Sequence, residues 1–258
     1  MPYHLYITNK NYSSWSLRPW LLLRQLGIPF VEDLRPLIPG TYRQPQWLEF
    51  SPVAHVPCLH VFPDDPSEAG SDNPAAEPII LWESLAIVDF LAETHPSLPV
   101  YPPLSNPAAR AWARSAVAEM HAGFAALRNE MGMNVGVRVE LSGGAFTPGL
   151  VADLERVGKL WGEGLGKFGG PFLAGKEFTA VDAFFAPVVL RLTTYLGALE
   201  RMGGGEVVKG YVERMRGLEG MREWVADALK ETGREPVHDA ESVEGEGRRL
   251  VEDLRVTA

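Results

Sequence analysis

The sequence predicts an α/β first half with the element order βαβαββα, followed by an all-helical second half. Strand and helix patterns alternate over the first hundred of the 258 residues, and only helical patterns follow. A stretch with four prolines, residues 97–107, separates the two patterns. Proline fixes the backbone and removes a hydrogen-bond donor, so this stretch suits a linker. We expect a first domain over residues 1–97, a linker over 98–106, a helical domain over 107–235 and a charged tail over 236–258.

The first half is predicted to contain four strands and three helices. The expected strands are His4–Thr8, Pro29–Glu32, Cys58–Phe62 and Pro78–Leu81. The expected helices are one that ends at Leu26 before Gly27, then Tyr42–Phe50 and Glu83–Thr94. Proline, aspartate and serine interrupt regular structure between the last two strands, so Pro63–Glu77 is expected to be an extended surface loop.

The second half is predicted to be helical throughout, with glycine clusters between the helices. The expected helices are Ala108–Asn134, Leu150–Leu165, Ala180–Leu199, Val207–Met215 and Glu219–Glu231. No strand pattern is expected among them. For the charged residues that follow Gly233, a short helix over Arg248–Leu254 and a mobile tail both remain open.

Composition excludes several classes of function. The chain carries 24 basic and 33 acidic residues, for a net charge of −9, which disfavours binding to nucleic acid or to an anionic membrane. No secretory signal or membrane-spanning stretch is present in the sequence. Cys58 is the one cysteine, so no intrachain disulfide forms, and none of the histidines has metal-ligand spacing. We therefore expect a soluble cytoplasmic protein without a metal.

The start of the first helix is the most informative local segment. Pro19 is best tolerated in a first helical turn, which predicts a helix start near Trp15 with Ser16 as the N-cap. Ser13 and Ser14 then lie just before a helix N-terminus, where backbone donors and the helix dipole suit an anion. A hydroxyl in this position can also donate a hydrogen bond to a thiolate.

Two further segments also have features typical of ligand-binding turns or helix starts. Pro57 directly precedes a predicted strand, a position typical of a strand start and often of a cis peptide bond at a functional turn. Glu83 and Ser84 begin the third predicted helix, so the Ser84 hydroxyl and backbone N–H lie in another position that favours an anion.

In this order and spacing, the three segments resemble the glutathione transferase family. The resemblance implies a thioredoxin-like N-terminal domain that binds glutathione and an all-helical domain that supplies the pocket for a second substrate. The Ser13, Ser14, Ser16 and Arg18 pattern is similar to the serine motif of zeta-type and related bacterial and fungal enzymes. It implies that Ser13 or Ser14 contacts the glutathione thiol; the spacing leaves both open.

The resemblance also assigns glutathione-binding roles. The Val56–Pro57 pair is similar to the cis-proline turn that binds the cysteinyl backbone of glutathione. Glu83 and Ser84 resemble the pair that holds the γ-glutamyl group, and His55 stands where it could meet a glutathione carboxylate.

The second half of the chain carries two further motifs of the family. Thr179 and Asp182 resemble the N-cap and N3 residues of its capping box. The stretch from Glu119 to Arg128 is similar to the long fourth helix of a bacterial and fungal subgroup. A homodimer is implied by the resemblance alone.

The implied activity is conjugation of the glutathione thiolate to small, largely apolar electrophiles, a detoxification chemistry. One departure from the family pattern bears on the choice between conjugation and isomerisation. Trp15 stands where zeta-type enzymes have a cysteine, which weakens the case for their isomerase chemistry. A glutathione-dependent isomerase or lyase of the maleylacetoacetate-isomerase type, a specialised biosynthetic transferase and a non-catalytic glutathione-binding scaffold remain the other hypotheses.

Overall fold

The computed structural model describes residues 2–41, 44–63 and 77–255. The loop expected over Pro63–Glu77 therefore lies almost entirely outside the described residues, as do the first two residues of the helix expected over Tyr42–Phe50. Within the described part of the chain, no helix combines the length and apolar character needed to cross a bilayer.

The first half has the predicted order of elements. Its strands are β1 (Tyr3–Ile7), β2 (Val31–Leu34), β3 (Cys58–Val61) and β4 (Ile79–Trp82). Its helices are α1 (Ser14–Gln25) and α2 (Ser84–Thr94), with a 3-10 turn at Pro45–Glu49 in place of the longer helix expected there. The thioredoxin-like arrangement expected for this half is confirmed.

One mixed sheet carries these strands in the order β2-β1-β3-β4. β1 is parallel to β2 and antiparallel to β3, and β3 is antiparallel to β4. Tyr6 is opposite Cys58, and Cys58 is opposite Trp82. The end of β1, the start of β3 and the end of β4 therefore share one edge of the sheet. The inward side chains Leu5, Ile7 and Leu59 are fully buried.

The second half is helical, as predicted, and it also contains a small sheet that was not predicted. Its helices are α3 (Pro107–Ala122), α4 (Ala125–Glu130), α5 (Pro148–Phe168), α6 (Ala180–Thr194), α7 (Gly205–Arg216), α8 (Glu219–Lys230) and α9 (Pro236–Val243). Its strands are β5 (Val137–Leu141), β6 (Tyr195–Leu196) and β7 (Arg248–Asp253), in the order β6-β5-β7.

Two expected helices in this half differ from the structure, and the short helix left open near the end of the chain does not form. The helix expected over Ala180–Leu199 ends at Thr194, because Tyr195–Leu196 is the strand β6. The helix expected over Ala108–Asn134 breaks at Gly123, where a Cβ would lie 2.8 Å from the Glu119 carbonyl oxygen. Phe124 follows with a left-handed φ of 58°. Residues 248–254 do not form a short helix, because Arg248–Asp253 is the strand β7 and pairs antiparallel with β5.

Helices α1 and α6 pack together and join the two halves of the chain. A second junction forms around Lys10, which is 3% exposed. Its Nζ lies 2.9 Å from both Glu32 Oε1 and Asp227 Oδ2 and sits over the rings of Trp20 and Trp224. Because the buried ammonium has two carboxylate partners, the loop after β1 is tied to α8.

Helix α6 begins with the capping box that the sequence motif indicated. Asp182 is fully buried, and its carboxylate accepts hydrogen bonds from the Thr179 and Leu173 backbone N–H groups at 2.9 and 3.0 Å. The Tyr211 hydroxyl donates a third at 3.1 Å. Burial raises the pKa of Asp182 to about 6, and these hydrogen bonds oppose that rise.

We expect Asp182→Ala to lower the free energy of unfolding by roughly 3 kcal/mol, because several buried donors lose their acceptor. Urea unfolding followed by circular dichroism measures this. Glu155→Ala, an exposed site on α5, is the matched control and should change stability by less than about 0.5 kcal/mol. Equal stabilities for the two variants would contradict the structural role of Asp182.

Candidate functional site at one edge of the first sheet

Three loops meet at the sheet edge defined by the register of β1, β3 and β4. The loop after β1 leads to Ser13 and Ser14, the loop before β3 contains Val56 and Pro57, and Glu83 follows β4 directly. The loops named by the sequence motifs therefore lie on the same side of the first domain. Helices α3, α4 and α6 supply side chains to the opposite wall, as described below.

Ser13 is the N-cap of α1, so the expectation that Ser16 has this role is wrong. Ser13 Oγ accepts from the Ser16 backbone N–H at 3.2 Å and donates to Ser16 Oγ at 2.7 Å. Pro19 consequently lies inside the helix rather than in its first turn. The hydroxyl of Ser13 thus has both its proton and an acceptor position engaged in capping.

Ser14 is the first residue of α1 and is 8% exposed. Its Oγ accepts a hydrogen bond from Arg191 Nη2 at 3.3 Å, across the junction between α1 and α6. Among the described residues, no acceptor takes the proton of the Ser14 hydroxyl. Ser14 is therefore the serine of the pair that can still donate to a ligand.

The loop before β3 has the backbone features expected of a binding turn. The Val56–Pro57 peptide bond is cis, and Ala54 has a φ of 53°. Between them, His55 has an exposed side chain, while its backbone N–H donates to Ser51 Oγ at 3.3 Å. Val56 is half-buried and Pro57 is buried. The turn leaves the His55 ring free to face solvent or a ligand.

The end of β4 holds a strained residue next to a buried hydroxyl. Glu83 has a φ of 70°, in the left-handed region that a non-glycine residue rarely adopts. Its side chain is exposed and makes no capping hydrogen bond to α2. Ser84 is 1% exposed, and its Oγ is buried without a hydrogen-bond partner in the described structure. Both residues remain available to a ligand.

A cationic and aromatic wall stands beside Ser14. Arg18 is 1% exposed and stacks on the rings of Trp15 and Phe184, with its Cζ 4.0 and 4.9 Å from the two ring centroids. Arg128 lies over the Trp15 ring at 5.5 Å. The edge of the same ring contacts His121, at 5.4 Å between centroids.

Charges in this wall are only partly compensated. Burial holds the pKa of Arg18 well below its ordinary value, Arg191 and Arg128 lower it further, and Glu83 opposes them. Burial and Arg18 also lower the pKa of His121, against Glu83, whose Oε2 lies 4.0 Å from His121 Nε2. The wall combines the buried guanidinium groups of Arg18 and Arg191 and the half-buried one of Arg128 with the half-buried imidazole of His121.

Buried polar atoms that lack a partner concentrate around this site. In the described part of the chain they are Arg18 Nε, Arg18 Nη1, Ser84 Oγ, His121 Nδ1 and Trp161 Nε1. All but the Trp161 atom belong to the residues that surround Ser14 and Glu83. Because buried polar groups are normally hydrogen-bonded, this concentration makes the region the candidate site for a polar ligand.

Arg191 is the site residue that sequence reasoning missed. It is 5% exposed near the end of α6, and its Nη1 donates to the carbonyl oxygens of Arg128, at 3.0 Å, and Met131. One signal was available, since Arg191 is the lone basic residue in the apolar run Ala180–Leu192. A charge in such a run needs a buried partner.

Cys58 and His60, both on β3, are buried and have structural positions. Cys58 is fully buried and burial raises the pKa of its thiol to about 11, which makes it a poor nucleophile. His60 Nε2 lies 2.7 Å from the Phe50 carbonyl oxygen and is 7% exposed. No group of metal-binding side chains occurs among the residues that the structure describes.

Known families match most of the chain. Residues 12–94 match the family model described as glutathione S-transferase, N-terminal domain, and residues 110–226 match the one described as glutathione S-transferase, C-terminal domain. No curated protein sequence is significantly similar to this chain.

Several solved structures share the fold at low sequence identity. A glutathione transferase homolog from Burkholderia GL BGR1 with bound glutathione is 20% identical, with a TM-score of 0.55 over 88% of this chain and 98% of its own. Glutathione transferase Omega 2S from Trametes versicolor, in complex with 2,4-dihydroxybenzophenone, is 19% identical, with a TM-score of 0.60 over 94% and 99%. FzlA from C. crescentus is 16% identical, with a TM-score of 0.63 over 94% and 98%.

The hydrogen bonds at the start of α1 predict that Ser13 stabilises the protein as the N-cap of this helix. Ser13→Ala removes the cap and should lower the free energy of unfolding by about 1 kcal/mol. Chemical denaturation measures the loss, with Ser105→Ala at an exposed serine as the control. A Ser13→Ala variant as stable as this control would show that capping by Ser13 is dispensable.

Proposed function

Since the chain belongs to the glutathione S-transferase family, we propose that it binds glutathione and adds its thiolate to small, largely apolar electrophiles. The observation that carries this proposal is the arrangement at the sheet edge. A serine with an uncommitted proton, a cis Val56–Pro57 turn and the Glu83–Ser84 pair lie beside buried donors that lack partners. Such an arrangement suits a small, polar, anionic ligand.

In this proposal Ser14, rather than Ser13, contacts the sulfur of glutathione. An ordinary thiol has a pKa of about 8.5 and is mostly protonated at neutral pH. A hydrogen bond from Ser14, together with the N-terminus of α1, favours the thiolate, and such environments lower thiol pKa values to between about 3.5 and 7.5. The thiolate then attacks the electrophile directly and forms a carbon–sulfur bond. An aryl halide loses its halide ion to solvent, and an enone takes up a proton from water at the carbon next to its carbonyl group. No covalent enzyme intermediate is needed, because the nucleophile belongs to the cosubstrate.

The remaining sheet-edge residues are proposed to hold the peptide. We assign the Val56 backbone, before the cis bond to Pro57, to pairing with the cysteinyl unit, and the exposed His55 ring to a glutathione carboxylate. Glu83 and Ser84 are proposed to bind the γ-glutamyl amino and carboxylate groups. Calorimetric titration tests this assignment: cysteinylglycine, which lacks the γ-glutamyl group, should bind at least about tenfold more weakly than glutathione. Equal affinities for cysteinylglycine and glutathione would contradict the role assigned to Glu83 and Ser84.

We expect Ser14→Ala to lower kcat/KM for conjugation at neutral pH by roughly 10- to 100-fold, because the bound thiol becomes less acidic. Ser13→Ala should retain most of the activity, since its hydroxyl caps α1. Rates with a panel of aryl halides and enones, measured by loss of glutathione, provide the readout. Full conjugating activity of Ser14→Ala, together with loss of activity in Ser13→Ala, would assign the sulfur contact to Ser13 instead.

The same measurements separate the other hypotheses. Turnover of an unsaturated keto acid without consumption of glutathione would indicate an isomerase, which the tryptophan at position 15 disfavours. Glutathione binding with no rate on any electrophile would indicate a scaffold. Absence of glutathione binding would overturn the proposed function itself.

We also propose that the protein is a cytoplasmic homodimer. Ile79, Ile80 and Trp82 of the edge strand β4 are between 38% and 54% exposed, an apolar surface that a second copy could cover. Sedimentation velocity should give a dimer mass, and Ile79→Glu should shift the population toward monomer. A monomer at all concentrations tested would contradict this proposal.

A further inference from the structure

Arg191 occupies an unusual position for a buried cation. Its guanidinium is fixed on one side by the carbonyl oxygens of Arg128 and Met131, at the end of α4. Nη2 points to Ser14 Oγ, on a different domain. Burial lowers the pKa of Arg191 to about 10, so the side chain remains charged at neutral pH.

The bond from Arg191 determines what the Ser14 hydroxyl can do. A hydroxyl has one proton and two acceptor positions. A guanidinium is only a donor, so Ser14 Oγ must act as the acceptor in this pair. The Ser14 proton is then directed away from Arg191, and no described residue accepts it. A ligand atom with a lone pair, placed beside the start of α1, is the remaining partner.

The charge of Arg191 is also uncompensated. Its described hydrogen bonds go to two carbonyl oxygens and one hydroxyl, and none goes to a carboxylate. The guanidinium groups of Arg128 and Arg18 are its neighbours. The acidic groups that act on these three side chains are Glu83 on Arg18, Asp153 on Arg128 and the Tyr195 phenol on Arg191. An anion next to Ser14 would therefore lie in a region of low dielectric and net positive charge.

We infer that Arg191 is a positioning residue for the thiol chemistry: it holds the Ser14 hydroxyl as an acceptor, turns the hydroxyl proton toward the glutathione sulfur and stabilises the thiolate by its charge. This inference rests on the proposed function. It places the control of sulfur ionisation partly on α6 of the helical domain, whereas the serine itself belongs to the thioredoxin-like domain.

A purely structural role for Arg191 predicts a different outcome when the residue is replaced. The two carbonyl bonds would clamp the end of α4 to α6, and their loss would lower stability without changing the ionisation of bound glutathione. The pKa of the bound thiol therefore distinguishes the two roles, because it responds to the hydroxyl and the charge but not to the clamp.

The test is a pH titration of the bound thiolate, followed by its ultraviolet absorbance, alongside the pH profile of kcat/KM. We expect Arg191→Gln to raise the pKa of the bound thiol by about 1 or more, and to lower the rate at neutral pH about tenfold or more. Arg214→Gln is the matched control, because Arg214 is exposed and also donates to a backbone carbonyl, that of Pro171. It should leave the thiol pKa unchanged.

Arg191→Lys keeps the positive charge but cannot reach both carbonyls and the hydroxyl at once. We expect it to retain part of the thiolate stabilisation, with a thiol pKa between those of the wild type and Arg191→Gln. It also serves as the informative variant if Arg191→Gln does not fold. A wild-type thiol pKa in Arg191→Gln together with reduced stability would assign Arg191 to the clamp and overturn the inference. A wild-type thiol pKa in Arg191→Lys would overturn the positioning of the hydroxyl and leave only the effect of the charge.

A double-mutant cycle with Ser14→Ala tests whether Arg191 acts through the hydroxyl. The change in thiol pKa caused by Arg191→Gln should be smaller when Ser14 is already alanine. An undiminished change in that background would overturn the positioning role. If the wild type does not bind glutathione, the proposed function fails. If it binds glutathione and Arg191→Gln titrates like Arg214→Gln, only this inference fails.

Discussion

The contact between α1 and α6 is the constraint on which the candidate site depends. Helix α1 brings Ser14 and Arg18 from the first domain, and α6 brings Phe184 and Arg191 from the second. Arg191 is held within its own domain by two backbone carbonyl oxygens, and the two sets of side chains meet only when the helices pack. The buried Asp182 fixes the start of α6, so the position of Arg191 depends on a carboxylate about two and a half helical turns away along the same element. Fold stability and site geometry are therefore coupled through one helix.

Local patterns were enough to predict the first domain and the loops of the site. The strands β1, β3 and β4, the cis bond before Pro57 and the start of α2 at Ser84 all follow from residues close together in the sequence. The choice between Ser13 and Ser14 could not be made in this way, because it depends on which hydroxyl is engaged by Ser16. That hydrogen-bond network is a property of the folded turn. The N-cap was misplaced for the same reason: capping by Ser13 allows Pro19 to lie inside the helix.

Long-range pairing limited prediction in the second half. Val137, Val139 and Leu141 alternate with Arg138 and Glu140, a pattern typical of a strand, but the partners of β5 lie far along the chain. The segment that forms β7 is charged and exposed, and it has no alternation that reveals a buried face. Arg191 was missed on similar grounds, because its partners are the Ser14 hydroxyl and two carbonyl oxygens with no sequence signature.

The small sheet gives the helical half a less local topology than a simple bundle has. Helix pairs such as α7 and α8 join neighbouring segments, and such contacts form quickly during folding. The β5–β7 ladder instead joins Val137 to Asp253 and encloses most of the second half between its strands. Closing so long a loop costs chain entropy before any ladder hydrogen bond compensates for it. We therefore expect the pairing of β7 with β5 to be a late step in the folding of this domain.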